Sequence, residues 1–131
     1  QYIMKGFITN IEEETLQNTD YRRVLYTAKN IQLVLMSIQP GDEIGEEIHE
    51  LDQFIRLEEG SATVILNEIL HIVPADSAIV IPAGVRHNVI NTGTAILKLY
   101  SLYAPPEHKD QTVHVTKESE KEEHFDGITT E

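Results

Sequence analysis

Turn-forming residues cut this chain into short lengths. Pro40-Gly41-Asp42, Glu59-Gly60, Asn67-Glu68, Pro74-Ala75-Asp76, Pro82-Ala83-Gly84 and Asn91-Thr92-Gly93 follow one another along the middle of the sequence. Six to nine short strands at a spacing of roughly ten residues, with turn signals between them and few helical signals competing, favour an all-β sandwich or barrel. The spacing predicts strands over Tyr21 to Ala28, Ile31 to Ile38, Glu46 to Glu50, Gln53 to Glu58, Ser77 to Ile81, Arg86 to Ile90 and Ala95 to Tyr103. Ser61 to Leu66 and Ile69 to Val73 read as a hairpin with Asn67-Glu68 at its tip. Ile31 to Ile38 is nearly all apolar, as suits a strand covered on both faces. Ile11 to Gln17 is polar and acidic and reads as a short helical or irregular lead-in. Beyond Pro105-Pro106 the texture turns polar, which implies an extended segment leading to a short helix that packs on the barrel or on a partner subunit.

At 131 residues the chain is expected to form a single domain, with a barrel core of about 21–104 and a polar C-terminal extension over 105–131. It has no apolar run of about eighteen residues that could span a bilayer as a helix. No secretory leader is expected, and Met4 is the expected natural start. The absence of cysteine excludes disulfides and thiolate ligands and fits a cytoplasmic location. A formal charge of −12 argues against nucleic-acid and anionic-membrane partners, which a basic patch would serve. Part of that excess, Glu118, Glu120, Glu122, Glu123 and Asp126, reads as a solvated helix face or a mobile end.

Candidate chemistry gathers at four residues. On a strand, Glu47 and His49 stand two positions apart and so point to one face. Gln53 follows, and His87 lies beyond the hairpin. A carboxylate, two imidazoles and an amide oxygen are competent donors for one divalent ion: Zn, Fe(II), Mn, Co or Ni.

The spacing of these residues is itself patterned. Gly41-x5-Glu47-x-His49-x3-Gln53-x6-Gly60 resembles the first signature motif of the cupin superfamily, and Pro82-x-Gly84-x2-His87-x3-Asn91 resembles the second. The resemblance covers roughly residues 31–104. It implies a jelly-roll barrel, or double-stranded β-helix, with a mononuclear metal site at Glu47, His49, Gln53 and His87. It also implies a homodimer paired through its sheets, with Ile31 to Ile38 or the strand ending at Tyr103 supplying the contact. Glu47 stands where the family has the first histidine of its pair, Gln53 where it has the glutamate, and Asp76 where the second motif opens with glycine.

Two classes of function are consistent with such a chain. One is an enzyme whose metal activates a small organic substrate, by isomerisation or oxygen chemistry. The other is a non-catalytic module that holds a small ligand. The donor inventory of one Gln, one Glu and two His resembles that of the cupin-type mannose-6-phosphate isomerases, with Gln and Glu exchanged in position. A sugar phosphate also needs paired cations, and Arg56 and Arg86 are the candidates near the motifs, Arg86 being expected to point away from His87. His71, His108, His114 and His124 are expected in surface or hydrogen-bonded roles. For the metal site to exist, the His49 and His87 rings must lie within about 8 Å of each other, because each ligand reaches only ~2 Å to a shared ion.

Overall fold

A computed structural model describes all of residues 1–131 and shows two antiparallel sheets with one core between them. The strands are β1 (Arg22–Thr27), β2 (Gln32–Ile38), β3 (Asp52–Glu59), β4 (Ser61–Leu66), β5 (Ile69–Pro74), β6 (Ala78–Ile81), β7 (His87–Ile90), β8 (Leu97–Ala104) and β9 (Val113–His114). Six form one sheet in the order β6-β3-β8-β2-β1-β9, and three form the other in the order β5-β4-β7. This jelly-roll arrangement joins distant parts of the chain within each sheet and closes around an interior.

Alternation builds the core. Along β3, Gln53, Ile55 and Leu57 point inward while Phe54 and Arg56 point out. Leu97, Leu99, Ser101 and Tyr103 do the same on β8. Val34, Met36 and Ile38 of β2 meet Ala62 and Val64 of β4 and Val89 of β7 in a cluster of 17 buried residues. β2 lies between β8 and β1, so its apolar run is internal to one barrel. Of the two expected contact segments, Ile31 is 46% exposed and Tyr100 and Leu102 are half-buried, while the rest of β2 lies mostly inside.

The helix α1 (Ile11–Gln17) begins where the Asn10 side chain accepts the Glu13 N–H, with three glutamates in its first turn complementing the helix dipole. It packs over β8, β3 and β2. Thr15 is buried there, and the covered ammonium of Lys98 donates to the Asn18 carbonyl.

Two expected elements differ. Glu46 to Glu50 is no regular strand but a ragged ribbon beside β7, touching it at the isolated bridges Glu43–Ile90 and Glu47–His87. Gly45, at φ +110°, turns its N–H onto the Asn88 side chain at 2.9 Å instead of onto a ladder carbonyl. The acidic tail forms no α-helix, only a 3-10 turn at Lys117–Ser119 capped by Thr116. Instead it is wound back onto the barrel. β9 pairs with β1, the Gln32 side chain bonds the His108 backbone, and Glu131 takes the Tyr2 and Tyr26 hydroxyls at 2.6 Å and 2.5 Å.

Candidate functional site

Hydrogen bonds of the second motif hold the site residues in place. The Pro82-Ala83-Gly84 turn donates Gly84 N–H to the His49 carbonyl (2.8 Å) and Ala83 N–H to Asp52 (2.9 Å). Asn91 is fully buried and ties the Ile38 and Ala95 carbonyls together, so its role is to fasten loops. Glu47 and His87 exchange both backbone hydrogen bonds at 2.9 Å. Directly opposed residues of that kind project to the same side of a sheet. The expected convergence of Glu47 and His49 is therefore met by cross-strand pairing with β7, not by membership of a strand.

The side chains then meet. His49 Nε2 lies 2.6 Å from Glu47 Oε2, and the His49 and His87 rings stack with centroids 5.1 Å apart. His87 donates Nδ1–H to the Val85 carbonyl at 2.8 Å, which leaves Nε2 as the nitrogen with an available lone pair. Burial, and to a lesser extent the nearby His49 charge, lower its pKa and keep the ring neutral. Gln53 makes no hydrogen bond to the other three. It is buried on the inward face of β3, donates to Ser101 Oγ at 3.0 Å, and its Oε1 is buried with no hydrogen-bond partner. No three His, Asp or Glu side chains surround a common point closely enough to hold an ion as they stand.

Glu107, from the tail, is part of this cluster and was invisible to motif reasoning. Its Oε2 accepts from His49 Nδ1 at 3.0 Å and its Oε1 from His124 Nδ1 at 3.0 Å. That bond to Glu107, with the Glu47 charge, raises the His49 pKa against the effect of burial. Burial pushes the Glu47 carboxyl upward, opposed by His49 and by Arg22. The only sequence signal for Glu107 is its place just after Pro105-Pro106, four residues beyond the inward-facing Tyr103. The peptide before Pro105 is cis.

Arg22 is the second residue that sequence patterning passed over. Its side chain is 4% exposed, although alternation on β1 gives it an inward position beside Val24. Nη1 donates to Glu120 Oε2 at 2.6 Å and lies 3.1 Å from His114 Nδ1. A cleft of about 340 Å³ opens here, lined by Arg22, Glu47, Glu107, His108 and Glu120 among others. Arg56 and Arg86 face elsewhere: Arg56 pairs with Glu58 and Asp76, and Arg86 with Glu46 at 2.6 Å on the surface. His71 is exposed on β5, whereas His108 and His114 are enclosed beside the cleft.

Comparison with known proteins points one way. Residues 34–103 match the family model described as the cupin domain. The uncharacterised protein YrkC of Bacillus subtilis (strain 168) is 50% identical over 123 residues, which are 88% of this chain and 66% of that protein, so the chain spans about two thirds of its length. An uncharacterised protein of Acanthamoeba polyphaga mimivirus is 41% identical over 116 residues, 85% of this chain and 72% of that one. The crystal structure of BH2720 from Bacillus halodurans superposes with a TM-score of 0.85 at 50% identity, covering 88% of this chain and 92% of that chain. KdgF from Halomonas sp., 19% identical, shares the fold with a TM-score of 0.64 over 82% of this chain and 97% of its own.

Proposed function

Because the chain belongs to the cupin domain family, we propose that it is a small metal-binding cupin whose mononuclear divalent-metal site is formed by Glu47, His49, His87 and Gln53. The observation that carries this reading is the state of the two imidazoles. His49 is held at Nδ1 by Glu107 and turns Nε2 toward Glu47, while His87 is held at Nδ1 by Val85 with Nε2 unengaged. Carboxylate or carbonyl anchoring of the far ring nitrogen is the usual support of a ligating histidine. The Gln53 Oε1, buried and unpartnered like Arg22 Nε and His108 Nε2, supplies a further donor.

In such a site a bound metal would polarise an oxygen of a small organic substrate or, as Fe(II), support oxygen chemistry. Glu47 and His87 would hold the metal, and Glu107 would keep His49 in the ligating tautomer. Isomerisation and oxygen chemistry both fit this donor set. A non-catalytic ligand-binding module is the second reading. The observation that favours it is that His49 and Glu47 already satisfy each other at 2.6 Å.

Protein purified without a nickel column and analysed for metals is expected to carry about one equivalent of a divalent ion, as four donors around one centre require. The Glu47→Ala and His87→Ala variants are expected to lose it. Failure of the wild-type protein to retain or take up any of the five metals would sink the metal site. Turnover of a substrate panel by the metal-loaded protein would separate the enzyme from the binding module.

We take the whole chain as one cupin unit working in the reducing cytoplasm, on the ground of its lack of cysteine. Its expected assembly is a homodimer. In this reading the contact falls on the edge strand β5, where Ile69, Leu70 and Ile72 are 63%, 60% and 73% exposed.

A further inference from the structure

We propose that the cleft beside the metal site binds a small, singly charged carboxylate on the buried guanidinium of Arg22, in a place that the side chain of Glu120 fills when no such ligand is present. The proposal deepens the functional reading above by naming a substrate class, and it rests on that reading in taking this cleft as the substrate site.

Arg22 is the observation that demands an account. A guanidinium removed from water loses several kcal/mol of solvation unless its donors are all engaged. Here only Nη1 has partners, Glu120 and His114, while Nε is buried and unpartnered. The group lines the cleft, and its charge reaches Glu47, Tyr103, His108 and His114, all of which it biases electrostatically. An arginine fork is built to take two oxygens of one carboxylate. Glu120 offers it only one, since Oε2 meets Nη1 at 2.6 Å and Oε1 is drawn 3.2 Å from Lys117 Nζ.

Glu120 is also suited to leave. It follows the 3-10 turn, is 30% exposed, and belongs to a stretch of tail without regular structure. Its carboxylate shows that this chemical group fits between Arg22 and Lys117. A free carboxylate could engage Nη1 and Nη2 together, where Glu120 takes Nη1 alone.

Charge chooses among anions. Glu46, Glu47, Glu107, Glu120, Glu122 and Glu123 line the cleft, against Arg22, Lys121 and the carboxylate-paired His124. A doubly charged phosphate would meet strong repulsion there, whereas a monocarboxylate exchanges one negative charge for another.

The test is calorimetric titration of lactate, with inorganic phosphate as the comparison anion, into protein stripped of metal by a chelator. Glu120→Gln removes the internal competitor and is expected to tighten lactate binding about tenfold, because the apparent affinity scales with the fraction of open sites. Arg22→Lys is expected to abolish binding, and Arg22→Lys combined with Glu120→Gln is expected to show no gain. Lactate affinity unchanged by Glu120→Gln would overturn the proposal and leave Arg22–Glu120 as a fastening of the tail. Phosphate binding as tightly as lactate would overturn the chemical class. A separate metal titration of the same proteins keeps the two readings apart, since loss of metal uptake with lactate binding intact would strike only the metal site.

Discussion

Glu107 is half buried, which by itself would favour its neutral form, yet hydrogen bonds and charge from His49 and His124 bring its pKa below the usual carboxylate value. It therefore stays ionised and holds the His49 Nδ1–H, which makes Nε2 the nitrogen that a metal would take in exchange for a proton. Glu107→Gln keeps the shape and removes the charge, so it is expected to weaken metal binding by about 10–100-fold, the usual cost of losing an outer-shell partner. Competition against a chromogenic chelator would measure it. His108 presents the opposite case. Burial, followed by the charge of Arg22, lowers its pKa to about 3, and its Nε2 has no partner. Since the folded value lies below the unfolded one of about 6.5, the unfolded chain takes up the proton first as pH falls. The neutral ring costs no stability above pH ~6.5, and stability is lost progressively from there down toward the folded value. Between pH 6.5 and pH 5 that loss comes to about 2 kcal/mol. Denaturant unfolding of wild type and His108→Phe at the two pH values should show the wild type losing stability that the variant retains.

Among the elements, the hairpins test the backbone. Asn67 and Glu68 both have positive φ, 49° and 72°, as a two-residue turn between β4 and β5 requires. Glycine suits the second of these positions better than glutamate, so Glu68→Gly is expected to stabilise the protein by about 1 kcal/mol in thermal or chemical unfolding. At Gly60 the reverse holds, because φ is +88° and a Cβ would lie 2.9 Å from the Ile96 carbonyl oxygen. Gly60→Ala should therefore cost about 2 kcal/mol or more by the same measurement. The strands were legible in the sequence for the reason these turns were: alternation and turn chemistry are local. For most of them only ends moved, as at β5, which runs on to Pro74, while the two-residue β9 in the tail was not foreseen. The Glu46 to Glu50 segment was misread because its pairing is a single bridge to His87, forty residues away, after Gly45 has turned its N–H onto the Asn88 side chain. The meeting of Glu47, His49 and His87 was legible because each motif is a short pattern of spacing, and the structure brings these three side chains together. Arg22, Glu107 and Glu120 were not, because a lone arginine in a strand or a glutamate in a polar tail carries no periodic signature.

At the scale of the whole molecule, the two sheets leave one apolar margin. β5 and β6 are edge strands of different sheets, and both line a groove that includes Ile72, Val73, Ile79 and Val80. An edge carrying such residues without a charge to blunt it invites pairing with a second copy. Ile69→Lys combined with Ile72→Lys is expected to convert a dimer to a monomer in light scattering after gel filtration, with the wild-type melting profile otherwise kept. A monomeric wild type would remove the assembly from the proposal. The tail has a different reach. Residues 34–103 match the family, yet the carboxylate behind His49 and the ion pair across the cleft come from positions 107, 22 and 120. A chimera that transplanted only the recognisable family segment from one relative into another would carry the four donors across and leave their setting behind. Grafts of this site between relatives should therefore take β1 and the returning tail with the barrel, as one heritable piece.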